Sequence, residues 1–190
     1  MFASLGHNLG NLFDFSGRDS RAQFWPWAIF LFILSLIAQM AVFVPVMTDW
    51  MVRIQRYVIE HPEGPPVGKP GMVEFPPEML PDFSGMYVPM MIIKAAWILL
   101  MAASVLRRLH DCDRSLLWAL AYLPFAAIGA IFGRSAYSAM TSGNAPGPLY
   151  SLLMVNNLLG FLVIVLLIIL LASRGTPGPN RFGPEPLVSA

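Results

Sequence analysis

The stretch Leu149 to Leu171 reads LYSLLMVNNLLGFLVIVLLIILL, 23 residues without a charged side chain. A helix crosses the hydrocarbon core of a bilayer with roughly 20 apolar residues, and about 17 to 25 are tolerated. Three more runs of this kind precede it: Phe24 to Met47, Tyr87 to Leu106 and Leu116 to Phe132, of 24, 20 and 17 residues. Eleven of the twelve Lys and Arg residues lie outside the four runs. The expected fold is all-α: one integral membrane domain over 1–190, a bundle of four transmembrane helices at about 24–47, 87–106, 116–132 and 149–171.

Composition agrees. The chain is 56% hydrophobic and 12% charged, where soluble domains average about 25% charged. That deficit argues against both disorder and a water-soluble fold. A net charge of +1 creates no field for nucleic acid, and no basic stripe with interleaved aromatics occurs, so nucleic acid is excluded as a partner. Cys112 is the only cysteine. It supports neither an intramolecular disulfide nor a cysteine-based zinc site, and with no neighbouring base it reads as a small loop residue. The first apolar run is too long for a cleavable signal and no A-x-A-like site follows it, so it reads as a signal anchor.

The connections carry their own signals. Phe2, Leu5, Leu9 and Leu12 recur at helical spacing in the N-terminal arm, the pattern of a short interfacial helix. Ser20 and Gln23 match a capping box for the first membrane helix, with Pro26 in its first turn and Trp25 and Trp27 at the level of an aromatic belt. After Thr48, the segment Asp49 to Glu60 has the apolar face of a surface-lying amphipathic helix, carried by Trp50, Met51, Ile54, Tyr57 and Val58. A Pro-rich loop at 61–82 comes next, with seven prolines and three glycines between Pro62 and Pro81. Runs two and three are separated by nine residues, Arg107 to Ser115, which makes them an antiparallel hairpin. Pro124 deprives the Leu120 carbonyl of its donor and should kink run three. Gly175 fits the residue just past the end of the last helix, with Pro177 as a stop.

Basic residues set the orientation. The N-terminal arm, the Arg107 to Ser115 loop and the tail hold seven Lys/Arg and five Asp/Glu, and the opposite side holds four and six. The positive-inside rule places both termini in the cytoplasm.

Three motifs meet on that side: Gly17-Arg18-Asp19-Ser20-Arg21, then Arg107-Arg108-Leu109-His110-Asp111-Cys112-Asp113-Arg114-Ser115, then Gly178-Pro179-Asn180-Arg181-Phe182-Gly183-Pro184. Together they resemble the bacterial inner-membrane family catalogued as domain of unknown function 805, in the right order and over nearly the whole chain. The resemblance implies a four-helix protein of the bacterial inner (cytoplasmic) membrane and implies no activity. Two departures stand out. The family has a glycine where Asp113 stands, which implies a different turn, and the loop from Thr48 to Met86 is longer.

Two groups of residues are candidates for function. On the cytoplasmic side Arg18, Arg21, Arg107, Arg108, Arg114, Arg174 and Arg181 form a guanidinium-rich rim, with His110, Asp111 and Asn180 beside them. Guanidinium binds phosphate in bidentate fashion and the cytoplasmic leaflet is anionic, so the rim reads as a lipid-headgroup site. The competing and heavier reading is topological: the positive residues hold the loops inside while Asp14, Asp19, Asp111 and Asp113 pair with them. For His110 and Asp111, a His–Arg–Asp clamp tying the hairpin to the tail outweighs a metal or acid–base role. Inside the membrane, Lys94 is the one basic residue within a run, and Gln39, Tyr122, Asn156 and Asn157 stand at similar depth. An intramembrane ionisable group is a functional hypothesis by default. If these side chains converge, they line a polar cavity; otherwise Lys94 snorkels and the amides serve as glue between helices.

One His beside one Asp makes neither a metal site nor a catalytic set, so no catalytic residue, metal or cofactor is expected. The leading reading is a non-enzymatic accessory or anionic-lipid-binding module, with the lipid bilayer, anionic headgroups and a homo-oligomer or membrane partner as its contacts. The alternative is a small-solute transporter or channel component built on the Lys94 layer. An enzyme using His110 and Asp111 on a phosphorylated lipid ranks last.

Overall fold

The computed structural model describes residues 1–64, 81–141 and 147–186. Most of the Pro-rich loop lies outside them. In chain order the helices are α1 (Phe2–Gly10), α2 (Arg21–Glu60), α3 (Tyr87–Asp111), α4 (Leu117–Leu120), α5 (Leu123–Thr141) and α6 (Pro148–Ala172), with a 3-10 turn at Ser84–Met86 before α3. No strand forms among the described residues; one isolated bridge joins Asn180 and Gly183. Three helices, α2, α3 and α6, are long and apolar enough to cross a membrane, and a shorter apolar stretch spans Leu117–Gly133.

The helix starts reflect local chemistry. Ser20 Oγ accepts from the Gln23 N–H at 3.4 Å while the Ser20 N–H donates to Gln23 Oε1 at 2.8 Å, the reciprocal capping box. Pro26 falls in the second turn of α2 rather than the first, and the helix continues through it and through Pro45. Pro124 does more than kink run three: the helix breaks at Ala121 and Tyr122, just where the lost donor leaves the previous turn open.

Two expectations about helix ends change. The segment 49–60 is not a separate helix, because nothing after Thr48 interrupts the helical backbone and it continues from α2 without a break. Forty residues make about 60 Å of helix, twice the roughly 30 Å of a hydrocarbon core. The hairpin connection is also shorter than nine residues. Arg107, Arg108 and His110 belong to the last turn and a half of α3, leaving only 112–116 before α4. Cations at a helix C-terminus are favoured by its dipole.

α2 packs against α3, α3 against α6, and α5 against α6. The core is concentrated at one end, where Phe24, Trp27 and Leu31 of α2 meet Met101 and Leu109 of α3 and Leu171 of α6. Trp27 is not a belt residue. It is 1% exposed, and its indole N–H donates to the Leu100 carbonyl at 3.3 Å. Elsewhere most large apolar side chains of α2, α5 and α6 face outward, as a lipid-facing surface requires. α5 and α6 approach closely at Gly160, where an added Cβ would meet the Phe125 Cβ at 3.1 Å.

Candidate polar clamp

At the packed end, both ends of the described chain come together. α1 lies across the start of α2 with its polar face inward: Ser4 Oγ and Asn8 Nδ2 both donate to the Gln23 carbonyl, at 2.5 and 2.9 Å. Its apolar residues Phe2 and Leu9 face outward, and Phe13 does the same just beyond the helix.

Three buried arginines hold the arm, α3, α6 and the tail together. Arg18 donates through Nε and Nη2 to Asp111 Oδ1 at 3.1 and 2.9 Å. Its remaining N–H groups reach into the tail, to the Thr176 carbonyl at 2.6 Å and the Gly178 carbonyl at 2.7 Å. Arg107 donates to Asp19 Oδ2 at 2.9 Å and to Asn8 Oδ1 at 3.0 Å, and holds the Asn11 and Asp14 carbonyls of the arm. Arg108, fully buried, donates through Nε to the Leu171 carbonyl at 2.8 Å. It also binds Asp111 Oδ2 and the Ser173 carbonyl. His7 Nε2 lies 2.9 Å from Asp19 Oδ1. Three guanidiniums thus face two carboxylates, and main-chain carbonyls supply the rest of the acceptors. Those at Leu171 and Ser173 sit at the negative end of the α6 dipole. Burying such charges is tolerable only when their hydrogen bonds are made, and here they are.

The tail is fitted to this centre. The Thr176 N–H and hydroxyl both donate to the Asp111 carbonyl, at 2.8 and 3.1 Å. Asn180 Nδ2 donates to the His110 carbonyl and to Thr176 Oγ1, both at 2.9 Å. Gly175 has a role unlike the helix-end role expected of it. α6 stops at Ala172 with Ser173 as its C-cap, and Gly175 lies against Asp111, where a Cβ would stand 2.0 Å from Oδ2. Asp113, the departure from the family pattern, has φ +52°. Asp tolerates this left-handed conformation better than most residues.

The remaining rim residues sit apart from the clamp. Arg181 pairs with Asp113 at 2.9 Å on the surface. Arg114 is exposed with its guanidinium over the Trp118 ring, 5.4 Å from the centroid. Arg21 and Arg174 are exposed and bond to no acid among the described residues. His110 stacks on Phe182 with ring centroids 3.9 Å apart and places Nδ1 3.2 Å from the Gly17 carbonyl. Asp14, Phe15, Ser16 and Gly17 complete a shallow depression with that pair. Asp111 turns the other way, toward Arg18 and Arg108, so the adjacent His110 and Asp111 do not converge. Among the described residues no group of three His, Cys, Asp or Glu could hold a metal.

The polar groups within the apolar spans are not brought together. Gln39 Nε2 donates to Ser35 of its own helix at 3.0 Å, and Asn157 Nδ2 to Leu153 of its own at 2.9 Å. Asn156 is buried and bridges to the Phe125 carbonyl of α5 at 3.1 Å, while Tyr122 packs at Gly160. Lys94 is exposed, with no hydrogen bond or ion pair among the described residues. Sequence reasoning overlooked Asn8, Asn11, Thr176 and the packing role of Gly175. Asn8 had a signal, since it shares a helical face with Ser4; the others are visible only once the tail is docked.

Burial pushes the Cys112 thiol above its ordinary range, with Arg108 working against that shift. The thiol is also oriented toward the Leu170 carbonyl, 3.4 Å away. At pH 8 a small maleimide should alkylate Cys112 on the order of tenfold more slowly in the folded protein than after unfolding in SDS. Equal rates would show that the thiol is not held against α6.

The family described as "Protein of unknown function (DUF805)" matches residues 12–184, a range that takes in all three motifs and the clamp except Ser4, His7 and Asn8 of α1 and Asn11 just after it. No curated protein and no solved structure matches the chain.

Proposed function

The chain belongs to the DUF805 family, and from that premise we propose that it is a non-enzymatic, multi-pass protein of the bacterial inner membrane. Both termini are cytoplasmic, and it acts as an accessory module that binds anionic lipid headgroups. The observation that carries this reading is a division among its arginines. Arg18, Arg107 and Arg108 are buried and turned to acceptors inside the protein, out of reach of a ligand. Arg21, Arg114 and Arg174 are exposed, free of acidic partners among the described residues, and placed within three residues of Phe24, Leu117 and Ala172, where the apolar spans begin or end. A guanidinium at that level meets phosphate in the headgroup layer. The clamp holds the three spans at fixed relative positions, and the three boundary arginines present the charge.

Native mass spectrometry of gently extracted protein tests it. The wild type should retain anionic phospholipid in preference to phosphatidylcholine. The triple variant R21Q/R114Q/R174Q should lose about tenfold or more of that preference without a change in unfolding midpoint, each charge near the surface contributing on the order of 1 kcal/mol. Unchanged retention in the triple variant would reduce these residues to topology signals.

A further inference from the structure

α1 is amphipathic in the inverted sense. Its exposed positions are Phe2, Ala3, Gly6, Leu9 and Gly10, and none carries a polar side chain. With 3.6 residues per turn these five fall within one arc of about 120°. The polar residues turn the other way: Ser4 and Asn8 are buried, and His7 is half-buried against Asp19. Phe2 is 87% exposed, and Phe13, just past the helix, is 89% exposed. The helically spaced Phe2, Leu5, Leu9 and Leu12 do not share one environment. Leu5 and Leu12 pack against the buried cluster of the long helices, and Phe2 and Leu9 are left outside.

A surface helix in water places its apolar stripe on the core and its polar face outside. α1 does the reverse, which is favourable where the medium outside is apolar. Its position identifies that medium. Ser4 Oγ and Asn8 Nδ2 both donate to the carbonyl of Gln23, the residue before Phe24, where the first apolar run begins. The cluster that Leu5 and Leu12 touch includes Phe24, Trp27 and Leu31, so α1 lies beside the first turns of that run rather than beyond its end. In the next turns of α2 the exposed side chains, Ile29, Phe30 and Phe32, are apolar as well. Residues 1–13 contain no Lys, Arg, Asp or Glu, so α1 lacks the charged rim expected of a patch that docks a soluble protein.

We propose that α1 is an in-plane foot seated in the lipid leaflet at the clamped end, with Phe2, Leu9 and Phe13 among the first carbons of the acyl chains. Interfacial helices bury their apolar face to about 5–10 Å in this way. A free helix of that kind leaves its polar face to water; here the protein takes it. Asn8 Oδ1 accepts from Arg107 at 3.0 Å, so the helix that grips the lipid is bonded directly to the clamp. The inference rests on the chain's crossing the membrane and not on the boundary arginines.

The test uses full-length protein in phosphatidylcholine nanodiscs, with one nitroxide label at a time at F2C, L9C, R181C or L162C in a C112A background. All four positions are exposed, so labelling leaves the packing intact. Oxygen concentrates among acyl chains and a neutral nickel chelate stays in water. The ratio of their collision rates should be on the order of tenfold higher at F2C and L9C than at R181C, and should approach that at L162C in the middle of α6. R21Q/R114Q/R174Q should leave these ratios unchanged. If F2C and L9C read as water while L162C reads as lipid, the proposal is overturned and the transmembrane reading stands. Water at L162C as well would overturn both. Labels at F2C and L9C shielded from both colliders would overturn the proposal in favour of a protein-covered face, a second copy of the chain where dipolar broadening appears.

Discussion

Arg108→Met lowers the stability of the folded protein by about 3–5 kcal/mol, the cost of removing one partner from a buried ion pair. The side chain is fully buried, and its loss leaves Asp111 with Arg18 alone and strips donors from the Leu171 and Ser173 carbonyls. Methionine fills the volume but answers none of those acceptors. The effect should appear as a lower midpoint in thermal or SDS unfolding and as faster tryptic cleavage after Arg174 and Arg181, because the tail is docked through this centre. Arg181→Met is the control. Its pair with Asp113 is solvent-exposed, so it should change stability by about 1 kcal/mol or less. Equal midpoints for the two variants would mean that the buried network contributes no more than a surface pair.

Gly175→Ala should be nearly as damaging, although it adds one methyl group in a tail outside every helix. The new Cβ would lie 2.0 Å from Asp111 Oδ2 and 2.6 Å from its carboxyl carbon. Neither Asp111 oxygen can swing aside cheaply, since Arg18 holds one and Arg108 the other. Either the tail lifts or both ion pairs open, at about 3 kcal/mol, the upper range for overpacking. Because both substitutions act through Asp111, their effects should not add: Gly175→Ala should cost much less in the Arg108→Met background. Full additivity in unfolding measurements would place the glycine's role elsewhere.

The long apolar helices were legible because an apolar run of bilayer-crossing length can be read directly from composition, and the capping box and the disruption before Pro124 arise from local backbone chemistry. What the pattern could not reveal was where a helix stops once it leaves the apolar region. α2 runs on to Glu60 and α3 to Asp111 because no residue there opposes helix, whatever the hydropathy does. The arginine motifs were visible as a group, but their division was not. Arg18 and Arg21 stand three residues apart, and only docking of the arm and tail makes one fully engaged and the other free. Trp27 shows the same limit: an indole at the membrane boundary reads as a belt residue until a neighbouring helix covers it.

The Arg18 bonds to Thr176 and Gly178 join positions 158 and 160 residues apart. Such a centre cannot close until Thr176 and Gly178 have been synthesised, long after Arg18. Until then Arg108 and Asp111 wait at a helix end in water, where being unfinished is cheap, and dehydration is deferred to a single late step. Contacts this distant in sequence form slowly, and intermediates lacking them expose what they will later bury. A chain truncated before Thr176 should therefore form its apolar helices yet stay open at this end, with the Arg18 and Asp111 groups that the tail covers left to water.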